Sequence, residues 1–324
     1  MRLDPADTSV CTEHRSASST KCEVMVARFL SAVRVPPRVP FQCVVGSCAP
    51  MAVFRMSKWY LDCVTESGDV SLAYTGSVRW GPVRLHYASL LESGGEGVAY
   101  RHSLRSQTEP SVENLVLRWH SDALDFGGTW TPDAAMVRET IFKSAEGSIE
   151  WHCRAPRARA RMRERSGLGY VEQLSMTIAP WRIPIRTLRW GRFLTPSEWL
   201  VWIGWPRQIL YWNGRLVPNP SITDDRLEFD DGARLLLDRS LVLRQGALGA
   251  TALSVIPGVR DTFPAHLLQV NEVKWRSRAR LERPGHLPLE GWAIHERVDW
   301  PETPNSRSHE VCDVLNCGES RASR

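Results

Sequence analysis

Residues 167–203 read GLGYVEQLSMTIAPWRIPIRTLRWGRFLTPSEWLVWI, and this stretch carries the clearest structural signal in the chain. It contains three short runs rich in aromatic and β-branched residues, at 169–178, 188–193 and 199–203. Proline, serine and threonine separate these runs. Short runs bounded by turn residues are typical of β-strands. The stretch therefore predicts consecutive strands with tight connections.

The same pattern continues on both sides of this stretch. Runs of similar composition lie at 59–64, 70–80, 83–91, 114–120, 148–153, 208–212, 215–217, 226–229, 233–237, 266–278 and 292–298. Asn213-Gly214 is a strong signal for a type I′ turn between two strands. Helical periodicity is restricted to short turns at 132–143 and 196–199. We therefore expect an all-β protein.

The length of 324 residues is sufficient for two domains of ordinary size. We predict two tandem antiparallel barrels, formed by residues 56–160 and 161–300. Residues 1–55 and 301–324 are predicted to be a disordered leader and a disordered tail. An alternative for 1–55 is a segment that is not translated, because Met51 and Met56 stand just before the first predicted strand.

An arginine-rich segment, 154–166, is interpreted as a solvated loop between the two domains. No aromatic side chains interleave with its arginines to form a stacking platform, so no nucleic-acid partner is expected. The six arginines are Arg154, Arg157, Arg159, Arg161, Arg163 and Arg165.

The composition is that of a globular protein, with 43% hydrophobic and 24% charged residues and a net charge of +5. Its 14 tryptophans suit barrel interiors and apolar pockets, because an indole buries a large area with few rotatable bonds. The 8 cysteines lack the spacing of a zinc site or a disulfide framework, which favours a reduced, cytoplasmic protein.

Three linked motifs carry a family resemblance. They are Gly167 to Glu172, Leu188 to Phe193 and Trp199 to Ile203. Together they resemble the GxGYxD, WxWGR and hydrophobic strands of the lipocalin-like family that includes carotenoid 1,2-hydratase (hydroxyneurosporene synthase) and the AttH-like proteins. The resemblance is best over 167–212 and implies two calycin-type barrels in tandem.

The resemblance also implies a reaction. The motif acid, Glu172 here, protonates an isolated carbon–carbon double bond with help from Tyr170, and neither a metal nor an organic cofactor takes part. The implied substrate is a hydrophobic terpenoid, polyene or lipid-like molecule, and its hydrophobicity leaves peripheral membrane contact open. Candidate substrate-binding residues are Trp151, Trp181, Trp190, Arg192, Trp202 and His295.

The residues support this chemistry independently. Tyr170 and Glu172 stand two apart, so both point to one face of a strand. An acid that protonates an alkene must keep its proton, and burial of a carboxyl in an apolar interior raises its pKa accordingly. His295 and Glu296 are adjacent on the last predicted strand, so they cannot enter the same pocket.

Three alternatives stay open at this point. Glu172 can form a structural ion pair with Arg189 or Arg192, a cavity can serve a carrier without catalysis, or tryptophans can fill both barrels. His120, His152 and His295 lack the short spacing of metal ligands, so no metal site is predicted.

Overall fold

The computed structural model describes residues 54–95, 97–256, 258 and 263–301, and this part of the chain forms twenty strands in two sheets. The strands of the first sheet are β1 Phe54–Val64, β2 Val70–Trp80, β3 Val83–Gly94, β4 Gly97–Ser103, β5 Ser111–Glu113, β6 Val116–Ser121, β7 Phe126–Pro132, β8 Val137–Ser144, β9 Gly147–Met162 and β10 Arg165–Met176.

The second sheet follows directly along the chain. Its strands are β11 Thr187–Leu194, β12 Trp199–Gly204, β13 Gln208–Trp212, β14 Arg215–Leu216, β15 Ser221–Ile222, β16 Arg226–Glu228, β17 Arg234–Leu237, β18 Leu241–Ala247, β19 Asn271–Glu282 and β20 Leu289–Asp299. The described helical segments are 3₁₀ turns at Asp122–Leu124 and Pro180–Arg182 and one α-helical turn at Ala265–Leu268. In the described part of the chain, no helix has the length and apolar character needed to cross a membrane.

The two sheets repeat one topology. The first has the order β4-β3-β2-β1-β10-β9-β7-β6-β5, with β8 beside β9. The second has the order β14-β13-β12-β11-β20-β19-β17-β16-β15, with β18 beside β19. Strand for strand, β11–β20 reproduce β1–β10. The described neighbours pair in antiparallel fashion, so the predicted all-β class with two tandem antiparallel units of barrel type is confirmed.

The repeat brings equivalent residues to equivalent positions. Tyr60 pairs with Glu172 between β1 and β10, the first and last strands of the first repeat along the chain, and Trp190 pairs with Glu296 between β11 and β20 of the second. Tyr60 and Trp190 therefore occupy equivalent positions in the two repeats, and so do Asp62 of β1 and Arg192 of β11, two residues further along these strands.

The central strands of each sheet are covered on both faces. One face of the first sheet surrounds a core that includes Trp59, Trp119 and Trp130, and one face of the second surrounds a core that includes Phe193 and Trp202. The opposite faces meet in a third core shared by both sheets. Burial on both faces explains the unbroken hydrophobic character of 199–203, since such a strand has no solvent side.

The arginine-rich segment is not a loop between domains. Residues up to Met162 belong to β9, where exposed Arg159 and Arg161 alternate with buried Ala158 and Ala160. This alternation is that of a strand with one buried face. The first sheet also continues past residue 160, the predicted domain boundary, because β10 pairs with both β1 and β9. The sheets therefore divide between β10 and β11.

Two further local predictions were wrong and one was confirmed. The helical turn predicted at 132–143 contains strand β8, whose pairing with β9 overrides its weak helical pattern. Residues 196 and 197 form bends before β12 rather than a helical turn. Asn213 and Gly214 both have positive φ, at 47° and 83°, and join β13 to β14 as predicted. Residues 1–53 of the predicted leader and 302–324 of the predicted tail lie outside the described residues.

Candidate active site between the two sheets

Glu172 lies on β10 at the centre of the core shared by the two sheets, with 8% of its surface exposed. Tyr170 projects from the same face of the strand, as its spacing predicts, and its hydroxyl donates a hydrogen bond of 2.7 Å to the Glu172 carboxyl. The phenol and the carboxyl therefore point together into the space between the sheets.

Three donors converge on one oxygen of this carboxyl. Oε2 of Glu172 accepts hydrogen bonds from Trp151 Nε1 at 2.6 Å, from the Tyr170 hydroxyl, and from Trp190 Nε1 at 3.1 Å. Among the described residues, no hydrogen bond reaches Oε1. An indole N–H can only donate, so Oε2 is held as an acceptor, and a proton carried by Glu172 resides on Oε1.

The surroundings favour the protonated carboxyl. Burial raises the pKa of Glu172 above its ordinary value, and this effect outweighs the hydrogen bonds from Trp151 and Tyr170 and the charge of Lys58, which lower it. The negative charge of Glu296 raises the pKa further. The shift is in the direction that a proton donor requires.

Aromatic rings surround the acid. The ring centroids of Tyr60 and Trp190 are 4.9 Å apart, those of Tyr170 and Trp190 are 5.7 Å apart, and all meet edge to face. Tyr60 also lies 5.9 Å from Tyr170. Because aromatic faces carry partial negative charge, such a cluster can stabilise a cation formed beside Glu172.

Neither arginine considered as an ion-pair partner of Glu172 contacts it. Arg192 is fully buried and pairs through Nε with Asp62 at 2.9 Å. Arg189 pairs with Asp224 at 2.6 Å. The structural ion pair proposed for Glu172 is therefore absent in the described part of the chain, and Arg192 joins the two sheets beside the site.

A buried cluster of charges adjoins the acid on the side of the second sheet. Lys274 binds Glu296, and Arg244 binds Glu272 with contacts of 2.8 and 3.0 Å. Burial raises the pKa of Glu296, but Lys274, Lys58 and Arg244 outweigh it, so the pKa of Glu296 lies below its ordinary value. Glu172 and Glu296 thus occupy equivalent strand positions, but their environments push their pKa values in opposite directions.

A cavity of about 460 Å³ lies between the two sheets. Tyr74, Tyr87, Leu91 and Tyr100 line it from the first sheet, and 242–245 with 251–255 line it from the second. Glu172 is not among the lining residues; the rings of Tyr74 and Tyr60, 5.3 Å apart, stand between the cavity and the acid. The size is that of a small-molecule site.

A second cavity, of about 850 Å³, lies at β5–β7 and β9. Its lining includes the charged side chains of Glu109, Glu113, Arg118, Arg161 and Arg163. Although it is larger, it contains none of the residues that contact Glu172.

The predicted site residues separate into two groups. Trp151 and Trp190 join Tyr170 and Glu172, with Arg192 next to them. The three others lie elsewhere: Trp181 contacts Phe54 and Trp80 at the end of the shared core, whereas Trp202 and His295 face the core of the second sheet.

The glycine of the WGR motif has a packing role. A Cβ at Gly191 would overlap the indole of Trp202, so the close approach of β12 to β11 requires glycine here. His295 lies beneath the same indole and is hydrogen-bonded to Ser277 at 2.9 Å. As predicted, His295 and Glu296 point to opposite faces of β20.

Sequence reasoning did not identify Tyr60, Lys58, Lys274 and Glu296 as part of the site. The repeat of the two sheets would have indicated them. Tyr60 of β1 lies opposite Glu172, and its counterpart in the second sheet, Trp190 of β11, lies opposite Glu296. Sequence identity between the repeats is too weak to display this correspondence without the strand pairing. Among the described residues, no group of three metal-ligating side chains is placed to hold a metal ion.

Comparisons with known proteins give fold similarity without a sequence match. No protein-family model and no curated protein matches the chain. CghA is similar with a TM-score of 0.45 and 11% identity over 76% of this chain and 88% of that one. A protein of Nitrosomonas europaea assigned as AttH is similar with a TM-score of 0.45 and 10% identity, over 81% of this chain and 99% of that one. Kievitone hydratase of Nectria haematococca is similar with a TM-score of 0.42 and 12% identity, over 76% of this chain and 89% of that one. With identities this low, the site is defined by this chain's own residues.

Proposed function

We propose that this protein uses Glu172 as a cofactor-free acid that protonates a carbon–carbon double bond of a hydrophobic small molecule of the terpenoid, polyene or lipid-like class. The observation that carries the proposal is the arrangement at the carboxyl: three donors on Oε2, none on Oε1, and burial that favours the protonated form. The outcome is hydration or cyclisation of the substrate.

The reaction balances without an external reagent. The Oε1 proton of Glu172 adds to one alkene carbon, and the electron pair of the π bond forms the new C–H bond. The other carbon becomes a carbocation, and Glu172 becomes a carboxylate stabilised by its three donors. In hydration, water forms a C–O bond and returns a proton to Glu172. In cyclisation, a second double bond attacks the cation, and a proton lost from carbon restores the acid.

The aromatic cluster supports the cationic step. Tyr60, Tyr170 and Trp190 surround the acid within ring distances of 4.9 to 5.9 Å. Their π faces attract the positive charge that appears when the proton leaves Glu172. Because these three rings are buried, the attraction acts in a medium of low dielectric.

The substrate enters from the cavity between the sheets. Tyr74 lines this cavity, and its ring lies 5.3 Å from that of Tyr60, which belongs to the aromatic cluster around Glu172. Displacement of the Tyr74 and Tyr60 rings would open a path from the cavity to the acid. Membership of the carotenoid 1,2-hydratase-like family, which the motif resemblance implies, assigns the same two residues, Glu172 and Tyr170.

The test uses linear isoprenoids with isolated double bonds, incubated with the full chain in D₂O and analysed by mass spectrometry after extraction. Wild type is expected to give hydrated or cyclised product with deuterium on carbon, which survives return to H₂O. Glu172→Gln should give none, whereas Glu150→Gln, a matched substitution on β9, should behave as wild type. Equal product formation by Glu172→Gln overturns the proposal.

The second candidate function is a carrier of hydrophobic molecules, and the cavity itself favours it. A carrier needs the volume between the sheets but not the acid. Recovery of the same unmodified isoprenoid from wild type and from Glu172→Gln, with no deuterium on carbon in either, decides for the carrier.

A further inference from the structure

One wall of the cavity between the sheets carries a row of polar side chains. Tyr74 of β2 pairs with Ser89 of β3, and Ser89 pairs with His102 of β4. Directly opposed residues of antiparallel strands project to the same face of a sheet, so these three side chains stand side by side. All three line the cavity, and we call them the polar row.

The polar row has unused hydrogen-bonding capacity. In the described part of the chain, no hydrogen bond involves the hydroxyl of Tyr74, the hydroxyl of Ser89 or the imidazole of His102. Tyr74 and Ser89 are each only 6% exposed. Buried polar groups normally have a partner, because burial without one costs free energy. The polar row therefore offers hydrogen bonds that a molecule in the cavity can complete.

The arginines of the lining do not require a charged ligand. Arg101 pairs with Glu92 at 2.9 Å, and Arg244 contacts Glu272 at 2.8 and 3.0 Å. Both arginines that line the cavity thus have a carboxylate of their own. A neutral ligand avoids the cost of bringing a further, unpaired charge into this space.

We propose that the cavity binds a neutral hydrophobic alcohol, an isoprenoid or fatty alcohol whose hydroxyl is held by Ser89 at the centre of the polar row. A hydroxyl both donates and accepts hydrogen bonds, and so do the serine and tyrosine hydroxyls and a neutral imidazole. A hydrocarbon, in contrast, would leave the row without partners. This inference rests on the proposed function, because it specifies the hydrophobic molecule on which Glu172 acts.

The rest of the cavity fits the apolar body of such an alcohol. Leu91 lines it from the first sheet, and Leu243 and Val255 line it from the second. The rings of Tyr87 and Tyr100 complete this part of the lining. The body of the ligand therefore contacts both sheets, whereas its hydroxyl is held by the first.

The polar row also lies in line with the acid. Tyr74 pairs with Tyr60, and Tyr60 pairs with Glu172, so the row of opposed residues continues across β1 to β10. From Ser89 to Glu172 it crosses three strand spacings, about 14 Å along the sheet. When the Tyr74 and Tyr60 rings move aside, Ser89 and His102 still hold the hydroxyl, and an extended chain brings its far double bond to Glu172.

The experiment measures binding to the full chain by isothermal titration calorimetry. Farnesol and farnesyl methyl ether share one isoprenoid body, but only farnesol can donate a hydrogen bond. Wild type should bind farnesol about three- to ten-fold more tightly than the ether, as expected for one hydrogen bond. Ser89→Ala should lose most of this preference, because it removes the central hydroxyl without adding volume. His102→Leu and Tyr74→Phe should each lose part of it.

Ser121→Ala is the matched control. Ser121 is also a buried serine of the first sheet, and its hydroxyl has no partner in the described part of the chain, but it lies outside the cavity. This variant should keep the full preference. Equal affinity of wild type for farnesol and the ether, or an undiminished preference in Ser89→Ala, overturns the inference. Failure to bind farnesol, or tighter binding of farnesoic acid than of farnesol, also overturns it.

Two readouts keep this inference apart from the proposed function. Glu172→Gln should bind farnesol with the preference of wild type, because Glu172 does not line the cavity. A preference for farnesol without incorporation of deuterium on carbon in D₂O keeps the alcohol site and refutes the acid. Incorporation that depends on Glu172, without a preference for farnesol over the ether, keeps the acid and refutes the alcohol site.

Discussion

Asp62 of the first sheet and Arg192 of the second occupy equivalent positions in the two repeats, and they form an ion pair of 2.9 Å in which neither side chain is exposed. The Asp62 carboxylate also accepts hydrogen bonds from the Tyr60 hydroxyl and from the backbone N–H of Tyr170. The pair therefore links the sheets and fixes the strand position from which Tyr170 reaches Glu172.

Removal of one partner should destabilise the protein strongly. Arg192→Met leaves the Asp62 charge buried without its cation, which costs about 3–5 kcal/mol. Arg189→Met is the control, because its pair with Asp224 is partly exposed and contributes about 0–1 kcal/mol. Urea unfolding, monitored by tryptophan fluorescence, measures the free energy of unfolding of both variants. A loss for Arg192→Met no larger than that of the control would show that the pair does not hold the sheets together.

How well the sequence predicts a feature depends on how far apart along the chain the interacting residues lie. The strands, the Asn213-Gly214 turn and the shared face of Tyr170 and Glu172 depend on neighbours within a few residues, and these predictions were confirmed. Strand β8 was mistaken for a helical turn because its pairing with β9, rather than its own sequence, decides its conformation.

The composition of the site depends on contacts that span most of the chain. Trp151 and Trp190 were identified because aromatic residues near a candidate acid are plausible neighbours. Lys274 and Glu296 were not, because they reach the site only through packing of the second sheet on the first. Trp202 has the same residue type as Trp190 but faces the opposite side of its sheet, which motif position alone does not reveal.

The raised pKa of Glu172 predicts a pH dependence of stability. Its pKa is higher in the folded protein than in the unfolded chain, so between these two values the folded state binds more protons. Glu172 should therefore contribute a free energy of unfolding that falls as pH rises through this window, by up to about 1.4 kcal/mol per pH unit, and the difference between wild type and Glu172→Gln separates this contribution from the opposite one of His295. Glu172→Gln should lack this slope, and Glu150→Gln should keep it. Parallel profiles for wild type and Glu172→Gln would mean that folding does not raise the pKa of Glu172.

The donors on Oε2 should set the acid strength of Glu172 in a fixed order. The hydrogen bonds from Trp151 and Tyr170 both lower the pKa of Glu172, the former more than the latter. Trp151→Phe should therefore raise this pKa more than Tyr170→Phe does. NMR titration of ¹³C-labelled glutamate carboxyls reads the change directly and needs no substrate. A pKa that falls in either variant, or the reverse order, contradicts the assignment of these donors.

His295 should make the protein sensitive to acid without taking part in ligand binding. Burial first, and then the charges of Lys274 and Arg239, lower the pKa of His295 to about 3. As pH falls from about 6.5 toward that value, only the unfolded chain gains the proton, so stability is lost at about 1.4 kcal/mol per pH unit. His295→Gln should flatten this part of the profile, and the exposed His120→Gln should not. Because His295 faces the core of the second sheet, His295→Gln should leave product formation from linear isoprenoids unchanged, and a marked loss would return His295 to the ligand site.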